Sequence, residues 1–242
     1  MKVLRVPVES LAEGDVDLDA EASNYVLRVH RLKVNDALLL FDPERAIEAD
    51  ARLLGVRGKT ARCHVASPRT SELLPRARVV LLQAYAKGDR VDRVIRDATA
   101  LGATDIVIVV THRTVVQAGA HDGAHRRERW CRIAVEAARQ CGRGDIPRIL
   151  GPVDLEEIEL SQLPERRLVL APDAPSSLGE WTRARPPSDV ALFIGPEGGL
   201  EPTEIRHLEN ASFVAVRFAQ FVLRTETAAT AVLGAIASWQ LG

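Results

Sequence analysis

Apolar positions divide the chain into two regimes. Through residue 72 the apolar runs are short and often broken. Residues 37–41 form one run that stops at Asp42-Pro43, a turn signal. Residues 47–54 and 61–66 are of strand length, and Gly55 and Gly58 lie between them. Residues 25–29 read as a short helical turn. Short strands punctuated by Gly and Pro predict a small barrel. Residues 71–75, between Pro68 and Pro75, read as a linker. From residue 76 strands and helices alternate. Val79–Ala84, 106–110, 167–171, Val190–Ile194 and Phe213–Val216 are strand-length apolar runs. Residues 106–110 are a continuous apolar run, as strands buried on both faces are. Between the runs, 90–101 places Val91, Val94, Ile95, Ala98 and Leu101 at helical spacing, with Gly102 as its stop. Residues 126–141 carry Trp130, Ile133, Ala134, Ala137 and Ala138 on one side, and Gly142 and Gly144 end that helix. Glu201-Pro202-Thr203-Glu204 opens a short helix, with proline at the first position and glutamate at the third. Residues 225–240 form the last helix, with Thr225 as its cap. This alternation predicts an α/β domain with a mainly parallel sheet.

Composition agrees with a folded chain and adds a partner question. The 242 residues are 46% hydrophobic and 27% charged, which excludes a disordered or collagen-like chain. No apolar run reaches the length of a spanning helix, and the first residues lack a signal-peptide core. Cys63, Cys131 and Cys141 form no C-x-x-C pair, which points to a reducing cytoplasm. The net charge of −1 speaks against a nucleic-acid partner only until the charges are located. Residues 76–150 hold 14 basic against 8 acidic groups, whereas residues 151–242 hold 7 against 13. A basic middle is compatible with a phosphate-facing surface, but charge alone favours a solvated helix face.

Three segments could carry chemistry. Residues 193–200 read F-I-G-P-E-G-G-L after a buried strand and before a helix. That places them at the carboxyl edge of the sheet, where ligands bind in open α/β folds. The loop is neither G-x-G-x-x-G nor a P-loop; a tight strand-to-helix turn would also need its glycines. Residues 221–229, F-V-L-R-T-E-T-A-A, place Arg224, Thr225, Glu226 and Thr227 at another strand-to-helix junction, where free helix N–H groups attract anions. Residues 136–143, E-A-A-R-Q-C-G-R, could grip phosphate or bond the last helix carbonyls. His121 and His125 flank a polar loop without a third ligand, so no metal is expected. His30, His64, His112 and His207 are isolated, and no serine has a hydrolase context.

In order along the chain, K-G-D-R, L-G-A-T, E-A-A-R-Q-C-G-R, I-G-P-E-G-G-L and L-R-T-E-T-A closely resemble the RsmE family, the ribosomal RNA (uracil-N3) methyltransferases of the SPOUT class. Tyr25-Val26-Leu27-Arg28 and Val34-Asn35-Asp36 are similar to the family's amino-terminal V-L-R…G-D segment. The resemblance implies a PUA-like β-barrel that binds RNA over residues 1–72. Over residues 73–242 it implies a SPOUT-type parallel-sheet domain with a C-terminal trefoil knot, among the exceptions to unknotted chains. It implies a homodimer with its active site at the interface, acting in the cytoplasm on the small ribosomal subunit. S-adenosylmethionine would be held by Leu170, Ala171, Ile194, Gly195, Pro196, Glu197, Gly198, Gly199, Phe218, Val222, Leu223 and Thr227. Methyl transfer to N3 of a uridine in 16S ribosomal RNA would rest on Arg224, Glu197 and Glu226. Arg28, Lys87, Arg90 and Arg143 would meet phosphates. The chain departs from the family pattern at Asp97, Ala100, Ala219 and Phe221, mostly charged positions in relatives. A different target nucleotide, or an RNA-binding assembly factor without catalysis, are the alternatives.

Overall fold

The structure, a computed structural model, describes residues 3–114 and 122–241; His121 of the predicted polar loop lies outside them. The chain divides into two units, Met1–Leu74 with Val135–Ile146, and Pro75–Ala134 with Pro147–Gly242.

In the first unit β1 (Leu4–Pro7), β2 (Gly14–Asp17), β3 (Ala37–Asp42), β4 (Ile47–Arg57), β5 (Thr60–Val65) and β6 (Arg69–Thr70) form one sheet, ordered β1-β3-β4-β5-β2, with β6 beside β4. β5 alternates buried and exposed residues, which directs Ala61, Cys63 and Val65 inward against Val6, Leu38, Leu40 and Leu53. The predicted turn after β3 forms because Asp42 Oδ1 accepts the Glu44 and Arg45 N–H groups, each at 3.1 Å. Helix α1 (Ala20–Asn24) is capped by Asp19, and the expected turn over Tyr25–Val29 is a π-helical continuation of it.

A contiguous amino-terminal region does not contain everything that packs in this unit. The carboxyl end of a later helix and the turn after it, Val135–Ile146, also belong to it. Gly144 N–H donates to the Leu73 carbonyl at 2.9 Å, and the Ser71 hydroxyl donates to the Gly144 carbonyl. Gly144 is required there, because a β-carbon would stand 2.1 Å from Ser71 Cβ.

The second unit carries β7 (Val79–Ala84), α2 (Arg90–Ala100), β8 (Asp105–Val110), the first part of α3 (Asp122–Cys141), β9 (Arg148–Asp154), β10 (Arg167–Leu170), α4 (Leu178–Arg183), β11 (Val190–Ile194), α5 (Pro202–Asn210), β12 (Phe213–Val216) and α6 (Thr225–Leu241). Its strands are all parallel, in the order β12-β10-β11-β7-β8-β9. Every residue of β7 and β11 is buried. Alternate residues feed two cores: Val79, Leu81, Ile106, Ile108 and Leu192 pack with α2 and α6, while Val80, Leu82, Val107, Val109 and Phe193 pack with Leu208 of α5. A strand with an apolar side chain on both faces has no polar face to alternate, which is why these runs are continuous in the sequence. Gly102 closes α2 at φ +89°, as expected of a glycine stop. Among the described residues no helix is long and apolar enough to cross a membrane.

β10, β11 and β12 are neighbours and parallel, so their carboxyl ends emerge side by side. The loops that follow them meet at one edge of the sheet, although they are spread over more than fifty residues of sequence.

Candidate functional site

These three loops enclose a cavity of about 610 Å³. Leu170 and Ala171 line it from the end of β10, Ile194 to Glu197 with Gly199 from β11, and Phe218, Val222, Leu223 and Arg224 from the segment after β12. Ile205, Leu208 and Glu209 of α5 close a further side. Most of the predicted pocket residues therefore stand together. Gly198 and Thr227 do not line the cavity, and neither does Glu226. Gly198 turns away because its carbonyl is bonded elsewhere, and Thr227 is on the exposed side of α6.

Thr225 differs from its expected role. Its hydroxyl does not cap α6; it donates to the Gly195 carbonyl at 3.0 Å and accepts from Gln83 Nε2 at 2.8 Å. One hydroxyl thereby ties the amino end of α6 to the glycine loop and to β7. Gln83 is fully buried, and its Oε1 has no hydrogen-bond partner among the described residues. It was overlooked because it sits in the apolar run of β7; a single amide inside such a run was its signal.

Arg90 faces carboxylates. Its guanidinium pairs with Glu197 and lies 3.9 Å from Glu226 Oε1, so it joins the two proposed proton acceptors. Glu226 Oε2 is buried and has no hydrogen-bond partner among the described residues. The Arg224 guanidinium is exposed at the cavity and makes no ion pair or hydrogen bond among them.

The other basic candidates separate in the same way. Arg143 is 6% exposed, and Asp145 holds it at 2.6 and 3.0 Å, so its charge is spent inside the first unit. Its neighbours explain the burial: the Arg143 carbonyl accepts from Arg5, whose guanidinium also reaches Glu48 at 3.1 Å. Arg28 and Lys87 are exposed and make no ion pair among the described residues. Much of the basic middle is satisfied locally, since Arg93 pairs with Asp89, Arg96 with Asp97, Arg129 with Asp92, and Arg78 and Arg148 with Asp105. Among the described residues no cluster of His, Cys, Asp and Glu could hold a metal ion.

A second overlooked set lies on the outer side of the glycine loop. Arg113, just beyond β8, donates from Nη1 to the Gly198 carbonyl at 2.7 Å and from Nε to Glu201 at 2.8 Å. The next peptide joins in, as His112 N–H donates to Glu204 Oε1 at 2.8 Å. Glu204 Oε2 accepts the Glu201 N–H at 2.7 Å, the predicted glutamate at the opening of α5. Arg113 has no glycine-like signature in the sequence, so nothing short of the fold would have singled it out.

Comparison with known proteins places this arrangement. Residues 72–237 match a model described as an RNA methyltransferase domain. The chain is 31% identical to the ribosomal RNA small subunit methyltransferase E of Synechocystis, over 96% of this chain and 76% of that protein. It is 27% identical to the protein of the same name in Bacillus subtilis, over 90% and 88%. It superposes with a TM-score of 0.84, at 28% identity and 98% coverage of both chains, on a crystal structure of a ribosomal RNA small subunit methyltransferase E from Neisseria gonorrhoeae bound to S-adenosyl methionine.

Proposed function

The chain belongs to the RsmE family of RNA methyltransferases, and on that premise we propose that it moves a methyl group from S-adenosylmethionine to N3 of a uridine in small-subunit ribosomal RNA. The observation that carries this reading is the convergence of the β10, β11 and β12 loops on one cavity that also presents Arg224. The cavity fits the cofactor. Its volume is in the range of small-molecule sites. Leu170, Ile194, Phe218 and Leu223 offer apolar walls to a purine, and the glycine loop lets backbone approach closely. Asp173, Glu197 and Glu209 give the lining a negative bias that suits a cationic ligand.

S-adenosylmethionine, when bound, supplies a methyl group on an electrophilic sulfonium. The chain must do the rest. N3–H is on the Watson–Crick edge of uracil, so the nucleotide must be unpaired to enter. N3 becomes a nucleophile on losing its proton, and it takes the methyl group as the carbon–sulfur bond breaks. Arg224 stays protonated and cannot accept that proton. Unpartnered at the cavity, it stabilises negative charge on the uracil oxygens. The proton goes to the Glu197–Glu226 pair that Arg90 joins. Residues 1–72 act as a PUA-like barrel on RNA, with Arg28 among its phosphate contacts. Residues 73–242 carry the trefoil knot. Two copies pair in the cytoplasm around the active site, which covers Phe221 and Val222, now 76% and 80% exposed.

Titration calorimetry with S-adenosylmethionine tests the cofactor directly. Binding in the micromolar range is expected; no heat at millimolar ligand would refute it.

A further inference from the structure

A wall built on Gly195, Gly198 and Gly199 has little rigidity of its own. Only Gly199, at φ +72°, is in a conformation that strictly favours glycine, and its N–H closes a turn onto the Pro196 carbonyl at 2.9 Å. The rest of the wall must be held from outside. Thr225 holds its start through the Gly195 carbonyl, and Arg90 holds the Glu197 side chain. The far end is held by one side chain from the turn after β8, Arg113.

We infer that Arg113 is a positioning residue for the cofactor-binding wall, acting through the Gly198 carbonyl and Glu201. It does not line the cavity, so it is not a ligand contact. Its two bonds reach different parts of the same loop: one fixes the orientation of the Gly198 peptide, the other anchors the first residue before α5. A rotated Gly198 peptide would aim its carbonyl differently and shift Gly199 and Leu200, which do line the cavity. The aliphatic stem adds to the grip, since Arg113 Cβ and Cδ would stand 3.4 and 3.5 Å from a β-carbon at Gly198. Arginine suits the task because its planar fork serves two acceptors at once, which lysine cannot do equally. The inference rests on the reading that this cavity takes S-adenosylmethionine.

The test compares full-length wild type with Arg113→Met, which keeps an unbranched stem and removes the guanidinium, and with Arg113→Lys. Calorimetry with S-adenosylmethionine, thermal melting followed by circular dichroism, and steady-state kinetics on small-subunit RNA are read together. Arg113→Met should melt cooperatively and bind S-adenosylmethionine about tenfold more weakly, the worth of one charge-assisted hydrogen bond. KM for the cofactor should rise with it, while KM for RNA stays put and kcat at saturating cofactor changes by less than about threefold. Arg113→Lys should fall between the two. A cofactor affinity equal to wild type in Arg113→Met, or a change confined to KM for RNA, would overturn the inference. Should Arg113→Met not fold, Arg113→Lys decides: weakened cofactor binding supports the role and wild-type binding ends it. Failure of the wild type to bind S-adenosylmethionine would instead remove the underlying reading.

Discussion

At the scale of single residues, chemistry here depends on which charges are left unspent. Arg90 and Arg143 looked like phosphate contacts in the sequence, yet each is committed to carboxylates. Arg224 is the cation at the cavity with no ion pair among the described residues. Arg224→Ala should therefore leave folding and cofactor binding intact and lower kcat by about 10²–10³, as loss of a transition-state charge partner does. Single-turnover methylation of small-subunit RNA measures this; near-normal turnover would take Arg224 out of the mechanism. The cysteines divide as sharply. Cys63 is fully buried, and burial pushes its thiol up to about 11, whereas Cys141 is exposed. A thiol reagent at pH 8 should modify Cys141 in the folded protein and leave Cys63 untouched, because the thiolate is the reactive form. The folded-state value is raised, so the stabilising effect of the neutral thiol is complete below the ordinary cysteine value and is lost as pH rises towards 11. Urea unfolding at pH 8 and pH 10.5 should show that loss in wild type and a smaller one in Cys63→Ala.

At the scale of elements, legibility followed periodicity. Val79–Ala84, Val190–Ile194 and Phe213–Val216 were readable to the residue because each is an apolar run of strand length, broken only by Gln83. β9 was missed because Gly151 and Pro152 break its run, and β2 because Asp15 and Asp17 alternate with its apolar position. α4 spans six residues, too few for a helical period to declare itself. The glycine and L-R-T-E-T-A segments could be identified as site elements, but their meeting depends on β10, β11 and β12 being neighbours, a long-range pairing that no local pattern encodes. Likewise the E-A-A-R-Q-C-G-R segment turned out to hold the first unit together. Gly144→Ala should cost about 1–3 kcal/mol, since the added methyl overlaps Ser71 and cannot be relieved without moving backbone. Urea midpoints would show this, and Ser71→Gly in the same chain should recover part of the loss. Equal midpoints would contradict the required close approach of Gly144 to Ser71.

At the scale of the whole molecule, net charge was a poor guide to partner. A total of −1 hides a basic middle, and that middle in turn pairs most of its arginines with carboxylates. Of the proposed site cations, Arg28, Lys87 and Arg224 have no ion pair among the described residues, and they are dispersed through the sequence. The departures from the family pattern at Asp97, Ala100, Ala219 and Phe221 bear on the site differently. Asp97 accepts a hydrogen bond from Thr230 at 3.0 Å and so braces α2 against α6, whereas Ala219 and Phe221 line the cavity. The most direct measurement is mass-spectrometric mapping of small-subunit ribosomal RNA from a strain lacking this protein, before and after add-back. N3-methyluridine should be missing at one position and return with the wild-type protein but not with Arg224→Ala. An unchanged modification map, or loss of a methyl group from any other atom, would contradict the proposed reaction.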